Sequence, residues 1–186
     1  MSATPRRGCG NAEVYESLRA SALGLAVRID DPTARLAPLS DLLWDALSPR
    51  GLSWVGFYLE DPEAPAGPDG GGMVLAARRD KPACSPIGLH GVCGQSFLEE
   101  AVRLVEDVAL LGAGYIACDP RDRSEVVIPI YRGGYRWGVL DADSHEVACF
   151  GTPDIHGLCS VLRAAGLLAK DLPVRADRLQ HTRESL

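Results

Sequence analysis

The sequence predicts an α+β layered domain, a central antiparallel sheet with helices packed on one face. Three patterns predict it: two stretches of apolar residues at helical spacing early in the chain, short aromatic and β-branched runs through the middle, and one helical stripe near the end. With 186 residues the chain can bury one substantial core. A single domain over residues 13–170 is expected, between a flexible start at 1–12 that includes Cys9 and a tail at 171–186.

Leu18, Ala22, Leu25 and Ile29 recur at three to four residue spacing and predict a helix from Glu13 to Ile29. Leu36, Leu39, Leu43 and Leu47 predict a second from Thr33 to Leu47, ended by Pro49, with its first turn set apart by Pro38. Leu52 to Leu59 carries Trp54, Val55, Phe57 and Tyr58 and is a strand. The Pro- and Gly-rich segment from Glu60 to Gly72 reads as an exposed connection to a second strand at Met73 to Ala77. An irregular stretch from Arg78 to Gly91 follows. A short helix is expected from Val92 to Ala101, a short strand from Val102 to Val105, and mostly loop from Asp107 to Ser124.

Glu125 to Tyr131 and Tyr135 to Ala142 flank Arg132-Gly133-Gly134, the clearest hairpin signal in the chain. Pro129 cannot donate to a ladder, so its strand is expected to be an edge or to carry a bulge. Ile155, Leu158, Leu162 and Ala165 predict the closing helix from Pro153 to Leu168, with Thr152 or Asp154 able to cap it. Beyond it the chain is mostly polar.

Nineteen basic against twenty-five acidic side chains give a net charge of −6. Without a basic stripe to neutralise phosphates, no nucleic-acid partner is expected. No apolar run approaches the length of a membrane span, so no membrane partner is expected. Arg6 and Arg7 are not followed by an apolar run of signal-peptide length, and a cytoplasmic location is expected. Six cysteines in a chain this long do not form a staple framework. Metal binding, catalysis or inert burial remain for them.

Three of the six, Cys84, Cys93 and Cys118, fall among glycine-rich loops near Glu125, Asp141 and Asp143. Strand alternation puts Asp141 and Asp143 on one face, and pairing through the Gly133-Gly134 turn brings Glu125 to the same end. Mutual repulsion and partial burial would raise at least one pKa and keep a carboxylic acid available near neutral pH. The same acids could instead end their strands at a solvated edge. Cys118 could attack an electrophile held against the carboxylates, while Gly88, Gly91 and Gly94 would let a mobile loop bring a second thiol close. Inert burial of each thiol is the plainer alternative. Cys84, Cys93, Cys118 and His90 could also supply four zinc ligands, although no paired CxxC clamp is present. His145 and His156 show no evident role, and Cys149 and Cys159 read as core residues. Trp54 and Tyr58 share one face of their strand, either as core or as the apolar wall of a ligand pocket.

The segments Ser53 to Tyr58, Gly91-Val92-Cys93-Gly94, Ile116-Ala117-Cys118-Asp119, Ser124 to Pro129 and Gly138 to Ser144 together resemble the free methionine-(R)-sulfoxide reductases, a branch of the GAF domain family. The resemblance spans roughly Glu13 to Leu168. It implies a GAF-like domain with an enclosed pocket, usually as a homodimer, and reduction of the free R sulfoxide with neither metal nor organic cofactor. By resemblance Cys118 is the nucleophile, Cys84 the resolving thiol and Cys93 an auxiliary one. Glu125, Asp141 and Asp143 would hold the sulfoxide oxygen and the substrate ammonium. A thioredoxin-type dithiol would restore the thiols.

The chain departs from the family in three places. Its Cys84 to Cys93 loop is one residue shorter. Ala76-Ala77-Arg78-Arg79-Asp80 replaces a Gly-Pro-Phe-Gln-Gly segment. Ala142 stands where a larger aliphatic is usual, which would leave a small cavity. A non-catalytic GAF sensor and a zinc-stabilised structural protein are the competing expectations.

Overall fold

The computed structural model describes residues 8–64, 71–114 and 118–177. Among them six strands form one sheet in the order β2-β1-β5-β4-β3-β6. Helices α1 (Ala12–Arg28) and α2 (Pro32–Leu47) open the chain, followed by β1 (Leu52–Asp61), β2 (Gly72–Arg79) and α3 (Val92–Glu99). Strands β3 (Val102–Val105), β4 (Ser124–Arg132) and β5 (Tyr135–Ser144), helix α4 (Thr152–Ala164) and strand β6 (Val174–Asp177) complete it. All strand pairs are antiparallel except β3 with β6, which makes the sheet mixed. Strand β6 lies in the segment the sequence leaves to the tail. Its four residues are too few, and too polar at Arg175 and Asp177, to show a strand period.

Helix α2 runs unbroken through Pro38, contrary to the expected separate turn. Proline removes one amide early in a helix already capped by the Asp31 side chain, while Leu36, Leu39, Leu43 and Leu47 bury a continuous stripe. Strand β4 is not an edge, but Pro129 obeys both halves of its rule locally. Strand β3 pairs only with Glu125 to Val127, and the ladder to β5 shifts register between Ile130 and Tyr131.

Alternation divides the sheet into two faces. Val55, Phe57, Val126, Ile128, Leu140 and Ala142 join the core beneath α1, α2 and α4. Trp54, Tyr58, Val127 and Val139 face the other way, against α3 and the 81–91 loop. That second face lines a cavity together with the 81–91 loop.

The N-terminal segment from Gly8 is not loose. Cys9 is fully buried, and Gly10 N–H donates to Asp154 Oδ1 at 2.9 Å. The same carboxylate accepts from the Tyr15 hydroxyl at 2.8 Å and, through Oδ2, from Gly151 N–H at 2.8 Å. Gly151 is the N-cap of α4, and Asp154 closes its first turn from within. Asp154→Ala should therefore strand one buried and two partly buried donors and destabilise the fold by about 2–4 kcal/mol. Urea unfolding at unchanged slope would read this, and a loss below about 1 kcal/mol would remove Asp154 from the list of structural keystones.

Candidate active site

The β4–β5 register places Glu125 opposite Asp143 and Val127 opposite Asp141. Glu125, Asp141 and Asp143 consequently share the face away from α1, α2 and α4, and oxygens from all three lie within 4.8 Å of one another. All three are buried. Gly56 makes space beside them on β1, since a Cβ there would come within 2.3 Å of the Trp54 ring. Trp54 and Tyr58 follow on the same face, with ring centroids 6.1 Å apart.

A cavity of about 340 Å³ stands above these residues. The carboxylates form its acidic end, Trp54, Tyr58, Ile87 and Val92 contribute apolar wall, and Cys84, Cys93 and Cys118 reach it from the covering loops. Every site residue expected from the sequence lines this one cavity.

The covering loop, whose glycines suggested mobility, is held to the sheet by several hydrogen bonds. Trp54 Nε1 donates to Lys81 O at 3.0 Å and the Tyr58 hydroxyl to Cys84 O at 2.8 Å. Met73 and Ile87 exchange both backbone hydrogen bonds at 2.9 Å. Gly94 serves close approach instead of flexibility, because a Cβ there would lie 2.2 Å from the Leu89 backbone.

Cys118 and Cys84 are exposed free thiols. Both line the cavity, and Cys84 is near enough to influence the titration of the Cys118 thiol. Burial and the Cys84 thiol push the Cys118 pKa up to about 12, so it rests as a thiol. Cys93 is different. Its buried Sγ donates to Asp141 Oδ2 at 3.3 Å, and desolvation holds it protonated well above the ordinary thiol range. Residues 115–117, before Cys118, lie outside the described residues.

Desolvation also governs the acids. It raises Asp141 to about 7, partly opposed by the Cys93 hydrogen bond. Asp143 is pushed well above the carboxylate range by burial, then by Asp141 and Glu125. Oδ1 of Asp141 has no hydrogen-bond partner among the described residues and is buried.

A polar cluster beside the thiols had no signal in the sequence. Asp119 accepts from Arg121 Nη2 at 2.9 Å and from Lys81 Nζ, which holds its carboxyl well below the usual carboxylate range. His145 Nε2 lies 3.4 Å from Asp119 and 3.6 Å from Asp122, giving this histidine a role the sequence did not suggest. Lys81 precedes Cys84 by three residues and Asp119 follows Cys118, so their ion pair ties the two thiol loops together.

Two groups of described residues converge closely enough to hold a metal, Asp119, Asp122 and His145, and Glu125, Asp141 and Asp143. Two bound cations already occupy Asp119, which makes the first a poor cation site. Cys84, Cys93, Cys118 and His90 are not among the converging groups. The three buried carboxylates suit a cationic group, and apolar wall beside them suits one that carries an apolar tail.

No protein-family model matches the chain. It is 34% identical over 152 residues to GAF domain-containing protein A of Dictyostelium discoideum, covering 81% of this chain and 89% of that protein. It is 38% identical over 127 residues to the free methionine-R-sulfoxide reductase of Escherichia coli, covering 67% and 70%. The structure of the free methionine-R-sulfoxide reductase from Neisseria meningitidis in complex with its substrate superposes with a TM-score of 0.71 at 29% identity, covering 89% of this chain and 93% of that one. The helix-backed sheet with its cavity on the opposite face is thus a GAF fold. The chain belongs to the free methionine-(R)-sulfoxide reductase family of GAF domain proteins. Among the described residues, no helix is long and apolar enough to cross a membrane.

Proposed function

We propose that this protein reduces free methionine-(R)-sulfoxide to methionine through Cys118, with Cys84 as resolving thiol and a thioredoxin-type dithiol as reductant. One observation carries the reading: Cys84 and Cys118 line one cavity with three buried, converging carboxyl groups, of which Asp141 and Asp143 have their pKa values raised by burial. A free amino acid brings an ammonium for an ionised carboxylate, and its side chain brings methylene and S-methyl groups for Trp54 and Tyr58. A methionine inside a protein lacks that ammonium.

Asp143, protonated, donates to the sulfoxide oxygen as the Cys118 sulfur takes that oxygen over, and the proton lost from the Cys118 thiol returns to the Asp143 carboxylate. The sulfur–oxygen bond of the substrate breaks, a Cys118 sulfenic acid forms, and methionine leaves. Cys84 then displaces water from the sulfenic acid, giving the Cys84–Cys118 disulfide. Exchange with an external dithiol returns both thiols. Cys93 holds Asp141 through its S–H bond and stays protonated, so it enters only by later exchange. Two copies of the chain acting as a homodimer in the cytoplasm accord with the family resemblance.

The Lys81–Asp119 pair positions the resolving step. Lys81→Met should slow Cys84–Cys118 condensation by roughly tenfold while leaving methionine release in the first turnover unchanged. Trapping of the sulfenic acid with a dimedone-type reagent would then increase. An equal loss in both steps would show that the pair supports folding alone.

A ligand-sensing GAF module is the second reading, favoured by the relative named only for its GAF domain. Such a module would bind the sulfoxide and return it unchanged. A thioredoxin-coupled assay with separate R and S epimers decides between the two, since only the reductase consumes the R epimer.

A further inference from the structure

A second dithiol lies away from the cavity, under the helix-side core. Cys9 and Cys149 stand 140 positions apart in sequence, yet their buried Sγ atoms are 3.2 Å apart. Neither has a part in the reaction proposed above. The backbone on both sides is fixed. Gly10 N–H is held by Asp154, Cys149 N–H donates to Ser124 Oγ at 3.3 Å, and Ala148 N–H donates to Glu106 O at 2.7 Å. Packing around the sulfurs is equally tight. Cys9 Sγ lies 3.6 Å from Arg50 O, and a Cβ on Gly51 would come within 3.0 Å of Cys149 Sγ.

We propose that Cys9 and Cys149 are a peroxide-driven modification site, whose disulfide staples the N-terminal segment to the loop between β5 and α4. A disulfide requires sulfurs about 2.05 Å apart, so closure needs a movement of roughly 1 Å shared between two short segments. The order of attack follows from how the pair shares its protons. Hydrogen bonding by Cys9 lowers the Cys149 pKa, while the Cys9 thiol is raised by the same contact. Cys149 attacks hydrogen peroxide, the O–O bond breaks, and a sulfenic acid and one water result. The Cys9 sulfur then attacks the Cys149 sulfur and expels a second water. Two thiols lose two electrons to one peroxide, and a dithiol reductant reverses the change.

A staple closing so long a loop removes freedom from the unfolded chain. It also fixes the Cys149 loop, which hydrogen-bonds Ser124 next to Glu125. Oxidising conditions would thus stiffen the protein when its proposed substrate is most abundant.

The test treats the full chain with increasing hydrogen peroxide, blocks remaining thiols under denaturing conditions and maps the digest without reduction. Wild type and a Cys84→Ser/Cys118→Ser variant should both yield a linked Cys9–Cys149 peptide, which separates this site from the cavity chemistry. The thermal midpoint should rise by roughly 5 °C on oxidation and return with dithiol treatment. Cys9→Ala should abolish both changes and leave reduced-state sulfoxide turnover intact. Recovery of Cys9 and Cys149 as blocked thiols, at peroxide levels that oxidise Cys118 in wild type, would overturn the proposal. Unlinked Cys149 sulfinic acid would do the same.

Discussion

Cys118→Ser is expected to eliminate turnover of free methionine-(R)-sulfoxide, by a factor on the order of 10³ or more, without disturbing the fold. The side chain is exposed at the cavity mouth, so the hydroxyl replaces sulfur at little structural cost. Serine can hold the same position but cannot take the oxygen over as a sulfenic acid. Cys84→Ser gives the informative contrast. It should release one methionine per chain at near wild-type rate and then stall, because the sulfenic acid has lost its proposed resolving thiol. Single-turnover chromatography of methionine, beside the coupled steady-state assay, reads both. Equal steady-state activity in wild type and Cys118→Ser would defeat the proposed chemistry. A Cys84→Ser protein that cycles normally would transfer the resolving role to another thiol.

Asp143→Asn should slow the first turnover by about 10²-fold, the scale of a lost general acid. Asparagine preserves shape and one donor but has no proton to give. The pH dependence makes the same argument without a substitution. Acids with raised pKa values are protonated below those values and lose the proton as pH climbs through them. Asp141 does so at about 7, and burial raises Asp143 in the same direction. The single-turnover rate should therefore decline above neutrality. A reaction limited by Cys118 thiolate would do the reverse, rising about tenfold per pH unit toward the thiol pKa of about 12. An increasing rate between pH 7 and 9, or an unchanged rate in Asp143→Asn, would remove the acid from the mechanism.

The acidic end of the cavity was legible because strand alternation is a local property. Once Gly133-Gly134 fixes the hairpin, the position of Glu125 against Asp143 follows by counting residues. Trp54 and Tyr58 were legible for the same reason. The thiol loop was not. Its glycines suggested mobility, whereas Gly94 is required by Leu89 crossing α3, a contact that no local pattern announces. The roles of His145, Lys81 and Asp119 were hidden likewise, since they come from three separate segments.

By itself the sequence determined the order of helices and strands, the two faces of the sheet and the set of thiols and carboxylates available for chemistry. These depend on periods of two and 3.6 residues, which a chain displays without its neighbours. Tertiary structure alone decided that β6 extends the sheet and that Cys9 lies buried against Cys149. It also decided which acids keep their protons. Each of those outcomes depends on desolvation and contact between groups distant along the chain, and these exist only after the layers have packed.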